Sequence, residues 1–355
     1  MRKRYVIKTV ATIVKNYTKL VAYLENKWAN KHASSFRNYT LFKKGVHSTL
    51  IDVSDLSQLW THIAFHSQSI LEILPTLNIH QVYILRQVPK DLVRISPILL
   101  LSPLPGAILI LPIFFAFPYI FLSRAFWTPE QCKTIDTKRL AYRLDRNIQF
   151  LLLGRLMDII NSSLSSSNYS EPISRSLEQL HSVLSQISLS RPISMENIPA
   201  LLPAFKGPLS LEQLDKSYLA SLLRLHGLSL CSYAWTMNTL LWSNLYMKKS
   251  ILKTPHIIVL KKHAYFLYAE DLCMQKNKLF SDSSLSVVQN YEFIQLCLLR
   301  GINPYLSNSN VLKEKLRFWV SASTLASGTD FSFRLHLPFL LYYNFLENSD
   351  SVDKV

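Results

Sequence analysis

The chain has 355 residues, of which 39 are Lys or Arg and 23 are Asp or Glu, and its formal net charge is +16. This surplus favours a polyanionic neighbour, either RNA or an anionic lipid surface. The four cysteines form no CxxC pair, and the seven glycines form neither a GxGxxG fingerprint nor a P-loop, so composition argues against a zinc ribbon, a disulfide framework and nucleotide-binding loops.

The first 30 residues have the composition of a mitochondrial presequence. They contain no acidic residue before Glu25, they begin with Arg2, Lys3 and Arg4, and their apolar residues recur at roughly helical spacing. A secretory signal would need an uninterrupted apolar run, which this segment lacks. A basic amphipathic helix on a surface is the alternative interpretation. Residues 1–48 hold eleven basic residues and one Glu, so they account for +10 of the +16 and leave +6 for the rest.

Residues 31–94 predict two or more amphipathic helices before the membrane, the second of which runs into it. His62 and His66 have the spacing of helical metal ligands, but no HExxH motif and no third ligand accompany them. Asp52 and Asp55 fit no calcium-binding loop pattern. We therefore expect neither a metal site nor an EF-hand in this region.

Residues 95–123 give the strongest membrane signal, because no charged residue lies between Arg94 and Arg124. A helix of about 20 apolar residues crosses the ~30 Å hydrocarbon core of a bilayer. The prolines at 103 and 105 predict a break between an entry helix and a kinked span over about 106–123. A buried helix of a soluble core and a re-entrant hairpin are the alternatives. The residues assigned to the transmembrane segment are Gly106, Ile110, Pro112, Phe114 and Pro118.

The charges that flank this segment predict its orientation. Residues 74–94 carry three basic residues, and residues 124–143 carry five. By the positive-inside rule, the carboxy-terminal side is expected to face the inside of the compartment, which for a mitochondrial protein is the matrix.

Residues 124–346 predict a helical domain, followed by a polar tail over 347–355. We expect one helical stretch over 124–160 and then a serine-rich loop over 161–172, because serine prefers caps and turns to helix interiors. Strand-like alternation is nearly absent, and its one candidate, 257–260, is as easily helical. The predicted fold is all-α, with a single-pass membrane anchor followed by an α-helical domain.

Capping signals predict the helix boundaries in the second half of the chain. Ser210 and Gln213 have the spacing of a capping box, and Gly227 can end the helix that this box would begin, over about 211–226. The later helices are expected over 287–300, with Gly301 as the terminating residue, over about 311–321, and from Pro338 onward.

The stretch 216–269 contains no Asp or Glu, while basic and aromatic residues interleave along it. Basic side chains neutralise phosphates and aromatic rings stack on exposed bases, so this composition indicates RNA binding. Lysines beside a lipid surface would give the same composition, and the residues alone favour neither partner. The candidate RNA-binding residues are Arg224, Lys248, Lys249, Lys253, Lys261 and Lys262.

No local signature of a catalytic nucleophile, such as GxSxG, is present in the sequence. We therefore expect no enzymatic activity, no cofactor, no metal and no small-molecule substrate.

Four sequence blocks are distinctive when they are taken together. They are LRQVPKDLVRISP, AFWTPEQ, LEQLDKSYLASLLRLHGLSL and YEFIQLCLLRGINPYLSNSNVLKEKLRFWVSAST. Over about residues 36–345 the chain resembles the LETM family of mitochondrial inner-membrane proteins. The last block resembles the family's helix, Arg-Gly stop and short helix ending in a tryptophan, here Arg300, Gly301 and Trp319. AFWTPEQ and the overall length resemble the short, LETM-domain-containing members.

This resemblance implies an all-α, matrix-facing domain of the LETM ribosome-binding type, held at the mitochondrial inner membrane. The implied partners are the mitochondrial ribosome and inner-membrane lipids, with a homo-oligomer as an open alternative, and the implied role is in translation, inner-membrane organisation and mitochondrial homeostasis. A cation/proton exchanger, or a regulator of ion homeostasis, is the rival hypothesis, although an exchanger needs ionisable groups in the membrane and this span has none. A structural protein with lipid-facing lysines is the third.

Overall fold

The computed structural model describes residues 33–65, 73, 76–101, 122–166, 169–228, 255–276, 290–326 and 330–345. The predictions for the presequence, for the transmembrane residues Gly106 to Pro118 and for the polar tail fall outside these residues. Those for Lys248, Lys249 and Lys253 fall outside them as well.

The described residues are helical and contain no strand, which confirms the all-α prediction. Short 3-10 turns occur at Arg124–Phe126 and Met195–Asn197. In chain order the α-helices are α1 (Ala33–Phe65), α2 (Ile79–Leu101), α3 (Pro129–Arg143), α4 (Arg146–Ser165), α5 (Glu171–Ser188), α6 (Ile198–Lys206), α7 (Lys216–Leu225), α8 (Pro255–Lys276), α9 (Asn290–Leu299), α10 (Ser309–Leu325), α11 (Phe331–Leu340) and α12 (Tyr342–Phe345).

None of the helices in the described part of the chain combines the length and the apolarity that crossing a membrane requires. Helix α2 extends to Leu101 and so enters the uncharged run, where the sequence predicts an entry helix. The span predicted after it lies mostly at 102–121, outside the described residues. The single-pass anchor therefore stays a prediction.

The chain divides into two compact units. The first consists of Met1–Ser54 and Arg94–Pro129, and the second of Asp55–Val93 and Glu130–Val355. In the first unit Gly45 of α1 lies against the ring of Phe126, which is buried. A Cβ atom built on Gly45 would come within 2.5–2.8 Å of that ring. Gly45 is therefore needed for the close approach of an aromatic residue from the AFWTPEQ block.

Helix α8 is the central helix of the second unit. It packs against α7, α10 and α11, while α5 packs against both α4 and α6. Buried residues occur on every side of α8, as expected for a helix that other elements surround. They include the polar residues His256, His263, Glu270 and Asp271. Because buried polar groups need hydrogen-bonding partners, three of these residues, His263, Glu270 and Asp271, take part in the polar contacts described below.

The predicted single helical stretch over 124–160 is wrong, because α3 and α4 are separate helices that meet at Asp145. The Asp145 side chain caps α4 by accepting a hydrogen bond from the Asn147 amide at 3.4 Å. The predicted loop over 161–172 also begins too early, since α4 continues to Ser165. The hydroxyl of Ser162 donates to the Ile159 carbonyl at 2.9 Å, so serines bond within the last turns instead of ending them.

The capping box predicted at Ser210 does not begin a helix. Residues 210–214 form a turn closed by the Leu214 amide on the Ser210 carbonyl at 3.3 Å. Helix α7 begins later, at Lys216, and its cap is Asp215, which accepts from the Tyr218 amide at 3.2 Å. An ionised carboxylate at this position also interacts favourably with the helix dipole.

The prediction that Pro338 opens a helix is wrong, because Pro338 lies inside α11. Its missing amide removes one hydrogen bond near the carboxy end, where α11 continues for only two residues. Residues 332–341 are all buried, so apolar packing outweighs this loss. Helix α10, at Ser309–Leu325, is longer at both ends than the predicted 311–321.

Candidate functional site

Two helices of the second unit end in the same glycine motif. Gly227 closes α7 with a φ of +64°, and Gly301 closes α9 with a φ of +80°. In each motif the amides of the glycine and of the following residue donate to carbonyls near the helix end, at 2.8–3.2 Å. This is the Schellman motif, and its left-handed residue favours glycine, which is the residue that the sequence has at both positions.

The buried guanidinium of Arg143, at the end of α3, joins these two helix ends. Its Nε donates to the Leu225 carbonyl of α7 at 2.9 Å, and its Nη1 and Nη2 donate to the Leu298 and Leu299 carbonyls of α9 at 2.7 and 3.1 Å. Burial lowers the pKa of Arg143 to about 10, so the group stays charged at neutral pH. The negative ends of both helix dipoles stabilise that charge.

Arg300 is the centre of a buried ion-pair network in the second unit. Its Nη2 lies 2.7 Å from Asp271 and 3.3 Å from Glu270, and its Nε donates to Asp271 at 3.1 Å. Glu270 also pairs with Arg86 of α2, and the Trp319 indole lies 3.4 Å from Asp271. Burial acts to lower the pKa of Arg300, but attraction from Asp271 and then Glu270 outweighs it and raises that pKa.

This network brings together two of the residues predicted as structural, Arg300 and Trp319, through Asp271. All of its side chains are buried. Their charges are engaged with one another, so the network fixes the packing of α2, α8, α9 and α10. Removing one partner of a buried pair typically costs about 3–5 kcal/mol, because the remaining charge stays buried.

A second polar cluster in the interior consists of neutral histidines. The Tyr218 hydroxyl donates to Nε2 of His336 at 2.9 Å, and Nδ1 of His336 donates to a carbonyl of its own helix at 2.7 Å. Nε2 of His263 donates to Nδ1 of His226 at 3.1 Å, and Nε2 of His226 donates to a carbonyl of α11 at 2.9 Å. Burial lowers the pKa of His226 to about 3 and that of His336 to about 4.

In this arrangement each of these ring nitrogens has a role that fits the neutral imidazole. The cluster therefore serves packing at neutral pH. Across the residues that the structure describes, no group of three or more His, Cys, Asp or Glu side chains is placed to hold a metal ion. His62 is exposed on α1, and His66 falls outside the described part of the chain.

The structure describes three of the candidate RNA-binding residues. Arg224 lies 3.7 Å from Asp145, and its guanidinium carbon lies 4.2 Å from the ring centroid of Tyr142. Lys261 pairs with Glu212 at 2.5 Å. Lys262 is partly exposed, and burial lowers its pKa. The acidic partners of Arg224 and Lys261 come from outside the acid-free stretch 216–269, so the fold supplies counter-charges that the local sequence lacks.

Arg143 and Tyr142 are the residues that sequence reasoning missed. In the sequence Arg143 is one of five basic residues that follow the uncharged run, and nothing there indicates that its partners lie more than 80 residues away. Tyr142 follows Lys138 and Arg139 at helical spacing, which is a local signal of an exposed basic and aromatic surface. Its side chain is 61% exposed.

Comparison with known proteins gives two matches. The sequence model of a family described as LETM1-like, RBD matches residues 77–340. The LETM1 domain-containing protein 1 of Xenopus tropicalis is 23% identical over 336 residues, which cover 92% of this chain and 81% of that protein. The family match begins just before α2 and ends with α11, and it includes Arg143, the ion-pair network and the histidine cluster.

Proposed function

Because the chain belongs to the LETM1-like, RBD family, we propose that it is a mitochondrial inner-membrane protein whose helical domain binds the mitochondrial ribosome. The match over residues 77–340 carries this proposal, since it includes most of the second unit. The proposed role is to support mitochondrial translation and the organisation of the inner membrane, without enzymatic activity.

The proposed membrane anchor is the uncharged run 95–123, with the carboxy-terminal domain in the matrix. The excess of flanking basic residues on the carboxy side supports this orientation. We expect residues 124–355 to resist protease when only the outer membrane is ruptured. Digestion of that part in mitoplasts would contradict the topology, and the ribosome proposal with it.

The proposed ribosome contacts are the basic residues of the acid-free stretch, namely Arg224, Lys248, Lys249, Lys253, Lys261 and Lys262. Two of them are held by ion pairs that a phosphate can displace. The Lys261 and Glu212 side chains are 32% and 42% exposed, and the Arg224 and Asp145 side chains are 40% and 37% exposed. Such pairs are worth only ~0–1 kcal/mol, so replacing the carboxylate by an RNA phosphate costs little.

Sedimentation with purified mitochondrial ribosomes tests these contacts on the detergent-solubilised full chain. The test variant changes Lys248, Lys249, Lys253, Lys261 and Lys262 to glutamine. The matched control removes the same charge from exposed or partly exposed positions elsewhere, by changing Arg175, Arg191, Lys276, Lys313 and Arg317 to glutamine.

We expect the test variant to lose ribosome association and the control to keep it, with similar helix content in both. Association of the parent should fall steeply with salt, because each neutralised phosphate releases counterions. Equal co-sedimentation of test variant and parent across a salt series would show that these five lysines do not contact the ribosome. Loss of binding to anionic liposomes alone would assign the lysines to lipid instead.

A further inference from the structure

An exposed basic and aromatic surface lies where α3 ends and α4 begins. Tyr142 is 61% exposed, so most of its residue surface is open to solvent. The Arg224 guanidinium lies over its ring, 4.2 Å from the centroid. We name this face the Tyr142 surface and define it by Lys138, Arg139, Tyr142, Arg146 and Arg224.

Helix geometry places the cations beside the aromatic ring. Lys138 and Arg139 precede Tyr142 by four and three residues, so they share its side of α3, and all three are exposed. Arg146 begins α4 just beyond and is also exposed. It lies one helical turn before Phe150, which is 57% exposed. Arg146 and Phe150 line one shallow groove together with Tyr343.

The charges of this surface favour an anionic partner. It carries four cations, one of which, Arg224, lies 3.7 Å from Asp145. Asp145 is also engaged as the cap of α4. The basic residues of the surface outnumber this carboxylate beside the exposed Tyr142 ring, and cations around an exposed aromatic ring are the combination that single-stranded nucleic acid binding uses.

We infer that the Tyr142 surface binds a single-stranded stretch of RNA, with an unpaired base stacked on Tyr142 and neighbouring phosphates on Lys138, Arg139 and Arg146. The inference rests on the proposed function, which supplies ribosomal RNA as the source. It goes beyond that function by adding Lys138, Arg139, Tyr142 and Arg146, which lie outside the acid-free stretch 216–269, and by naming the form of RNA that the surface takes. Duplex RNA does not fit equally well, because its bases are stacked on one another and offer no free face.

Fluorescence polarisation with a labelled 12-nucleotide oligouridylate RNA, on the detergent-solubilised full chain, tests the inference directly. Tyr142→Ala should weaken binding about tenfold, whereas Tyr142→Phe should bind like the parent, because stacking needs the ring and not the hydroxyl. A plot of log affinity against log salt falls with salt, and changing Lys138, Arg139 and Arg146 to glutamine should make that slope less steep by about 2. The matched control changes Arg175, Arg191 and Arg317 to glutamine and should leave that slope unchanged.

The inference is overturned if Tyr142→Ala binds the oligonucleotide as the parent does while melting at the parent's temperature. It is also overturned if a hairpin duplex binds as tightly as the single strand, or if the substitutions alter only binding to vesicles that contain anionic lipid. A parent that binds the oligonucleotide through Tyr142 but fails to co-sediment with ribosomes would support the inference and refute the proposed function.

Discussion

Replacing Arg143 by methionine should destabilise the second unit more than any exposed arginine of the same helix. Methionine keeps much of the bulk of the side chain but removes three charged donors. The Leu225 and Leu299 carbonyls each lose a donor at 2.9 and 3.1 Å. A buried group that loses such a partner costs about 1–3 kcal/mol. The Leu298 carbonyl also accepts from the Gly301 amide at 3.2 Å, so it loses less. The expected loss is about 3–4 kcal/mol.

Urea unfolding of the full chain in detergent, followed by far-UV circular dichroism, measures this loss. Arg139→Met is the matched control, because Arg139 is exposed one turn earlier on α3. Its free energy of unfolding should change by no more than about 0.5 kcal/mol. If Arg143→Met and Arg139→Met unfold with free energies within ~1 kcal/mol of each other, Arg143 does not hold the two helix ends together.

Two further predictions rest on the structure, and a third rests on the sequence of the uncharged run 95–123. Gly227→Ala should destabilise the protein more than Gly301→Ala, because a Cβ at Gly227 would lie 2.9 Å from the Arg143 side chain, whereas a Cβ at Gly301 would lie at an ordinary contact distance of 3.7 Å from its neighbours. Gly154→Ala in α4 should stabilise the protein by about 0.5–1 kcal/mol, because a Cβ there meets nothing within 4 Å. Melting temperatures in any other order would contradict this. His226 and His336 are neutral in the fold, and their stabilising contribution is fully present above the unfolded-state pKa of ~6.5. It is lost as pH falls towards their folded pKa values of about 3 and 4. At pH 5 each histidine should lower the free energy of unfolding by about 2 kcal/mol, so an unchanged free energy between pH 7.5 and 5 would refute the neutral assignment. Ile110→Arg should impair membrane anchoring by about 2.5–3.5 kcal/mol, and a variant that still resists carbonate extraction would show that 106–123 is not the main anchor.

Helix ends were predictable where one residue type is needed. Gly227 and Gly301 both adopt the left-handed conformation that a helix-terminating glycine allows, and both were expected to do so. Helix starts were less predictable, because several residue types can cap an amino terminus. Ser210 is a good cap by composition, but Asp215 is the residue whose side chain caps α7, by accepting a hydrogen bond from the Tyr218 amide.

The interior of the second unit was not predictable, because its polar contacts are non-local. Arg86 and Glu270 are 184 residues apart in the chain, and Arg143 and Leu299 are 156 apart. No sequence spacing indicates such a pair without a structure. The same holds for charge in the acid-free stretch. The stretch itself contains no carboxylate, but Glu212, from outside it, pairs with Lys261.

The central claim is that this protein associates with the mitochondrial ribosome, and a density gradient tests it most directly. Mitochondria that contain the full chain are lysed in mild detergent and sedimented at low salt, with and without EDTA to dissociate the ribosomal subunits. We predict that the protein migrates with ribosomes, moves to a subunit fraction in EDTA and is released at high salt. A protein that stays at the top of the gradient at low salt would contradict the account.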